Sequence, residues 1–257
     1  MEADAGAVHR GDTGGVSIDT GSALSLLRAG TLEVEGRIVG ASNATLFCTV
    51  SADGATAACV YKPIAGERPL WDFPDGTLAH REVAAYAVSE ATGWGVVPPT
   101  VLRDGPFGPG MCQLWIDIDE TVDVAALARS DHPDLRRMAV FDAVVNNADR
   151  KGGHLLAIPS GHVYGVDHGV CFSVEDKLRT LLWRWRGQRL TAEAVEVLTR
   201  LDADVAGRRV GGLGATLRGL LSEAEVWATQ TRLRRLLATR RHPQPSDEWP
   251  AIPWPPF

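Results

Sequence analysis

The stretch Phe141-Asp142-Ala143-Val144-Val145-Asn146-Asn147-Ala148-Asp149-Arg150-Lys151-Gly152-Gly153-His154 decides the fold. Apolar residues at helical spacing over Leu135–Val145 give way abruptly to a dense polar loop, which then runs into the apolar Leu155-Leu156-Ala157-Ile158. Asp149, Lys151 and His154 put a base, a cation suited to phosphate and a metal-ligand side chain into one short loop. A capped turn is the competing reading, because Asn and Asp favour turns for their own reasons.

Downstream, a Pro-Ser-Gly turn separates Leu155–Ile158 from the strand-like Val163–Val166, and Asp167-His168-Gly169 follows. A carboxylate at the exit of a short apolar strand, with glycine close behind, is well placed to hold Mg²⁺. Upstream, the strand-like run Ala57–Lys62 puts Lys62 on one face with Ala58 and Val60. A lysine there needs an anionic partner or a route to water. Glu82 stands in the first turn of a helix predicted over Ala79–Thr92, on a stripe with Ala85, Tyr86 and Ser89. It can reach Lys62, or simply favour the helix dipole.

The rest of the chain sorts around these points. Residues 1–20, rich in Gly, Asp and Ala, read as a flexible tail, and a short helix spans Ala23–Arg28. Strands are expected at Glu35–Val39, Thr45–Val50, Ala57–Lys62, Val96–Leu102 and Met111–Trp115. From Leu178 onward the sequence reads mostly as helix, with the Trp/Arg run Leu178–Arg186 as a helix of snorkelling arginines, and it closes on a Trp/Pro tail. A β-rich half followed by a helical half predicts an α+β architecture of two lobes, 21–115 and 116–257.

Composition narrows the function classes. The 257 residues carry a formal net charge of -6, which disfavours a general nucleic-acid binder or attachment to anionic membranes by charge. Cysteines at 48, 59, 112 and 171 have no zinc-like spacing and read as reduced thiols. The first residues show no secretory pattern, and no apolar run is long enough to span a bilayer, so a cytoplasmic protein is expected.

The order of strand lysine, helix glutamate, Asp149-Arg150 and strand-Asp167-x-Gly resembles the kinase superfamily, and most closely the phosphatidylinositol 3/4-kinase type. Tyr61-Lys62-Pro63, Asn147-Ala148-Asp149-Arg150 and Asp167-His168-Gly169 carry that resemblance, which extends over residues 24 to 257 to an actinobacterial family of that type. It implies a bilobal protein-kinase-like fold with a nucleotide cleft between the lobes, ATP, and Mg²⁺ or Mn²⁺. Lys62 would hold the α/β-phosphates and Glu82 would orient it. Ser42 and Asn43 would belong to the turn over the phosphates, and Gln113, Leu114 and Trp115 to the hinge against adenine. Asp149 would be the base, Lys151 a phosphate contact and Asp167 the metal ligand.

One position departs from the pattern, since His154 stands where such kinases keep a metal-binding asparagine. Three functions remain open: a kinase acting on a small polar molecule or a protein, an AMP transferase on the same fold, and a nucleotide-binding pseudokinase that engages a partner. A lipid acceptor is not expected, because no amphipathic membrane-binding helix is evident.

Overall fold

A computed structural model describes residues 19–40 and 43–257. Helix α1 (Thr20–Ala29), capped by the Asp19 carboxylate, leads into a five-stranded antiparallel sheet of order β1-β2-β3-β5-β4. Its strands are β1 (Thr31–Arg37), β2 (Leu46–Ala52), β3 (Ala55–Pro63), β4 (Thr100–Gly105) and β5 (Gly108–Leu114). Between β3 and β4 runs α2 (Leu78–Thr92). The β2–β3 hairpin turns on Asp53 and Gly54, both at positive φ, as a two-residue connection matching the strand twist requires.

The two faces of the sheet differ. Cys48, Val50, Cys59, Tyr61, Val101 and Cys112 are buried together against Leu26 and Leu27 of α1. Strand alternation turns Val60 and Lys62, both half-buried, to the other face. A larger core joins α2 to the helical half, which contains α3 (Val124–Arg129), α4 (Pro133–Val145), α5 (Ala192–Ala206), α6 (Leu213–Leu220) and α7 (Glu223–Thr239). A two-stranded ribbon, β6 (Leu155–Ala157) with β7 (Val163–Gly165), completes it. This is the expected α+β, kinase-like arrangement.

Several elements lie elsewhere than the sequence predicts. Strand β1 begins at Thr31 rather than Glu35; it is an exposed edge strand with a bulge between Val34 and Gly36, so its pattern carries no clean alternation. The fourth strand begins at Thr100 rather than Val96, because Pro98 and Pro99 precede it. Helix α3 was not expected at all; it is six residues long and set by its Asp123 cap.

The Trp/Arg run is not a helix. Between Leu178 and Thr191 there is one 3-10 turn, Trp183–Trp185, and helix resumes at Ala192. The backbone of 179–181 is committed to pairing with the polar loop around Arg150, and that commitment forbids helical bonding. Trp183 donates its indole N–H to the Ala251 carbonyl (2.8 Å) and Trp185 to Asp131 (2.8 Å), so both rings serve the interior.

Candidate functional site

Pro63 follows Lys62 directly, and its missing N–H ends the β3 ladder one residue beyond the lysine. Lys62 Nζ lies 2.6 Å from Glu82 Oε1 and 2.9 Å from Asp167 Oδ1. The second oxygen of Glu82 accepts the backbone N–H of His168 at 2.9 Å. Glu82 therefore fixes both the lysine and the loop that carries Asp167. Helix α2 holds Glu82 in place from its far side, where Arg81 pairs with Glu225 of α7 at 2.5 Å and donates to the Cys171 carbonyl. The N-terminus of α2 is capped by Glu67, whose carboxylate accepts from Leu78 and Ala79.

Asp167 sits just past β7 at φ 62, a left-handed backbone that a non-glycine residue adopts at a cost. Its carboxylate keeps half its surface open. Lys62, and then His154, hold it well below the usual carboxylate range. Burial lowers the Lys62 pKa, but Asp167 and Glu82 outweigh that and raise it, so the ammonium stays charged. Burial pushes Glu82 up despite Lys62.

The polar loop begins where Asn146, at φ 54, caps α4 and turns the chain out of the helix. Asp149 and Lys151 are 3.2 Å apart, and the Asp149 amide donates to the Asn147 side chain at 2.9 Å. His154 Nε2 is 3.5 Å from Asp167 Oδ2, and its Nδ1 accepts the Lys151 amide at 3.4 Å. Burial keeps His154 below its ordinary pKa and so neutral, with Asp167 opposing the shift. Lys62, Glu82, Asp167, His154, Lys151 and Asp149 thus form one connected polar floor.

The floor rests on a network that sequence reading did not assign. Arg150, fully buried, donates to both oxygens of the buried Asp142 (2.8 and 3.1 Å), to the Val166 carbonyl (3.0 Å) and to His168 Nε2 (2.6 Å). Asn147 and Thr180 complete the Asp142 shell. Because arginine only donates, His168 accepts through Nε2, and burial beside Arg150 keeps its ring neutral. The one signal available was a carboxylate inside the apolar turn Phe141–Val145, which demands a buried cation.

The remaining candidates stand apart from this floor. Gln113 is buried and donates to Thr100 Oγ1 at 2.8 Å. Trp115 packs edge-on to Phe47 at 4.9 Å, and its amide donates to the Ala58 carbonyl. The Leu114 side chain packs with the α1 cluster, leaving only its backbone for the opposite face. Asn43 spends its side-chain oxygen on the Arg68 amide at 2.8 Å. Ser42 lies outside the described residues.

Among the described residues no group of three or more His, Cys, Asp and Glu side chains encloses a metal. Asp167 and His154 stand 3.5 Å apart as one carboxylate and one imidazole, a donor pair that could engage an ion bringing its other ligands with it. The residues present therefore fit a divalent ion that keeps ligands of its own rather than a protein-enclosed one.

No protein-family model matches the chain. It is 43% identical over 268 residues to Protein Rv2133c of Mycobacterium tuberculosis (strain ATCC 25618 / H37Rv), covering 91% of this chain and 95% of that one. It is 27% identical over 151 residues to phosphatidylinositol 4-kinase gamma 4 of Oryza sativa subsp. japonica, covering half of this chain and 27% of that protein. Among solved structures, the Golgi casein kinase matches with a TM-score of 0.58 at 14% identity, covering 87% of this chain and 75% of that one. Its form with Mn/ADP bound matches equally, with a TM-score of 0.58. The Helicobacter pylori proinflammatory kinase CtkA matches with a TM-score of 0.50 at 13% identity, covering 84% of this chain and 94% of that one.

Proposed function

The chain belongs to the family of Mycobacterium tuberculosis Protein Rv2133c, and from that premise and its kinase-like fold we propose an ATP- and divalent-metal-dependent phosphotransferase. Its acceptor is a small polar molecule or a protein. The observation that carries this reading is Lys62 held at 2.6 Å by Glu82 and 2.9 Å by Asp167. A charged lysine kept on the cleft side of a sheet, with a carboxylate across from it, suits polyphosphate and its metal.

In this reading Lys62 contacts the α- and β-phosphates and Glu82 sets its direction. Asp167 and His154 hold the ion, which supplies neutralisation of charge on the phosphate oxygens. Asp149 takes the proton of the attacking hydroxyl, and Lys151 balances charge developing on the transferred group. The Trp115–Phe47 pair, whose residues are both half-buried, receives the base of the nucleotide.

ATP labelled separately at the γ- and α-phosphate tests this. Label passing from the γ-position to an acceptor, or to water, supports it; label passing only from the α-position moves the assignment to AMP transfer. Binding of nucleotide with no transfer of either label makes the protein a pseudokinase.

A further inference from the structure

The loop carrying Asp149 is gripped from two sides. On one side the 179–181 stretch pairs with it: Arg150 N–H donates to the Arg179 carbonyl (3.1 Å) and Leu181 N–H to the Arg150 carbonyl (3.2 Å). On the other side passes the Trp/Pro segment. The Ala251 carbonyl accepts from the Thr180 N–H (3.1 Å) and the Trp183 indole (2.8 Å). The Pro256 carbonyl accepts the N–H of Gly152 at 2.8 Å, three positions after Asp149.

Gly152 is not required by its backbone, since its φ is not positive. It is required by Phe257, whose ring occupies the space a Cβ would fill. Yet Phe257 as a residue remains 57% exposed, so it contributes little to any core. A close ring-on-glycine contact with little burial has its main effect on where the loop backbone lies.

We infer that the 251–257 stretch is a strap that positions the Asp149 loop, with Pro256 and Phe257 as positioning residues acting through Gly152. The strap joins the loop to the Thr180 backbone and the Trp183 indole, next to the 179–181 backbone that supports the loop from behind, so the two supports close around Asp149–Gly152. Its kinetic consequence rests on the phosphotransferase reading; its effect on the loop does not.

The test uses the full chain with Gly152→Ala, Phe257→Ala and the double variant. Each is followed by amide hydrogen exchange over 149–154, by ATP binding and by turnover of ATP. Gly152→Ala should push Phe257 aside, speed exchange at Gly152 about tenfold and lower turnover about tenfold, with the nucleotide Kd changed less than about twofold. In the double variant the new methyl takes the room the ring vacated, and exchange and turnover return most of the way to the parent. Phe257→Ala alone, which leaves the loop sequence intact, should also speed exchange at Gly152, and it serves if Gly152→Ala does not fold. Parental exchange in both single variants, or a double variant no better than Gly152→Ala, overturns the strap. Absence of any ATP turnover in the parent would sink the phosphotransferase reading alone, while the exchange rates still judge the strap.

Discussion

An ion pair of 2.9 Å joins Lys62 to Asp167, residues 105 positions apart, across the junction of the sheet and the helical half. The lysine arrives on a strand and the aspartate on a left-handed turn, so neither can follow the other if its backbone moves. Glu82 shares the lysine and grips the next residue of the aspartate's loop. Three elements distant in sequence are locked by one cation.

Lys62→Ala removes that cation and the proposed phosphate contact together. A charge-assisted contact of this kind is worth about 2 kcal/mol, so the Kd for ATP should rise roughly 30-fold. Titration calorimetry checks it; affinity equal to the parent's contradicts the assignment of Lys62.

Asp149 and Asp167 should separate by role. Asp149→Ala should abolish transfer while the Kd for ATP changes little, because the side chain acts on the attacking group. Asp167→Ala should make nucleotide binding insensitive to added Mg²⁺ or Mn²⁺. Equal effects of the two substitutions on binding would refute this division.

Asp142 carries a prediction about stability rather than chemistry. Asp142→Ala leaves the Arg150 guanidinium fully buried and stripped of its two strongest contacts. Breaking a buried pair from one side costs about 3–5 kcal/mol, visible as a lower urea midpoint. A loss under about 1 kcal/mol would mean the surroundings readjust around Arg150.

The positions of Lys62, Glu82 and Asp167 were legible because each is marked locally: a strand-end lysine, a first-turn acid, an aspartate at a strand exit. Their meeting follows from element order. Asp142 was passed over because its partner Arg150 looks, in sequence, like one more polar loop residue. The 178–191 stretch was misread as helix because its spacing of Trp and Arg is compatible with one. What denies it a helix is long-range pairing with the loop at Arg150, and no local pattern reports that. Phe257 against Gly152 is the same case, a contact set by tertiary closure between residues with no shared periodicity.

His242 gives the stability a pH dependence. It is buried against Trp185, and burial, followed by Arg136, lowers its pKa to about 4. The unfolded chain binds a proton near the ordinary histidine value while the folded chain does not, so stability falls as pH drops from about 6.5 towards 4. Between pH 7 and pH 5 this group alone should cost about 2 kcal/mol. His242→Phe, which keeps a ring on Trp185, should lose correspondingly less over that interval in urea titrations. Identical losses in parent and variant would show that His242 titrates normally.

His154 is the place where the site departs from the kinase pattern, and its metal preference should follow. Its Nε2 lies 3.5 Å from Asp167 Oδ2, close enough for one ion to engage both. Burial keeps the ring neutral, and once it gives up the long 3.4 Å bond from the Lys151 amide, the Nδ1–H tautomer turns an Nε2 lone pair to the ion where the pattern has a carbonyl oxygen. Mg²⁺ prefers oxygen and releases water reluctantly, whereas Mn²⁺ accepts imidazole readily. Transfer should therefore run faster with Mn²⁺ than with Mg²⁺ at equal concentration, by roughly tenfold if one ligand contact is at stake. His154→Asn should narrow or reverse that ratio without weakening ATP binding in the presence of Mg²⁺. Mixed-metal rate measurements on parent and variant decide it, because a ratio unchanged by the substitution means that His154 serves only the Lys151 amide.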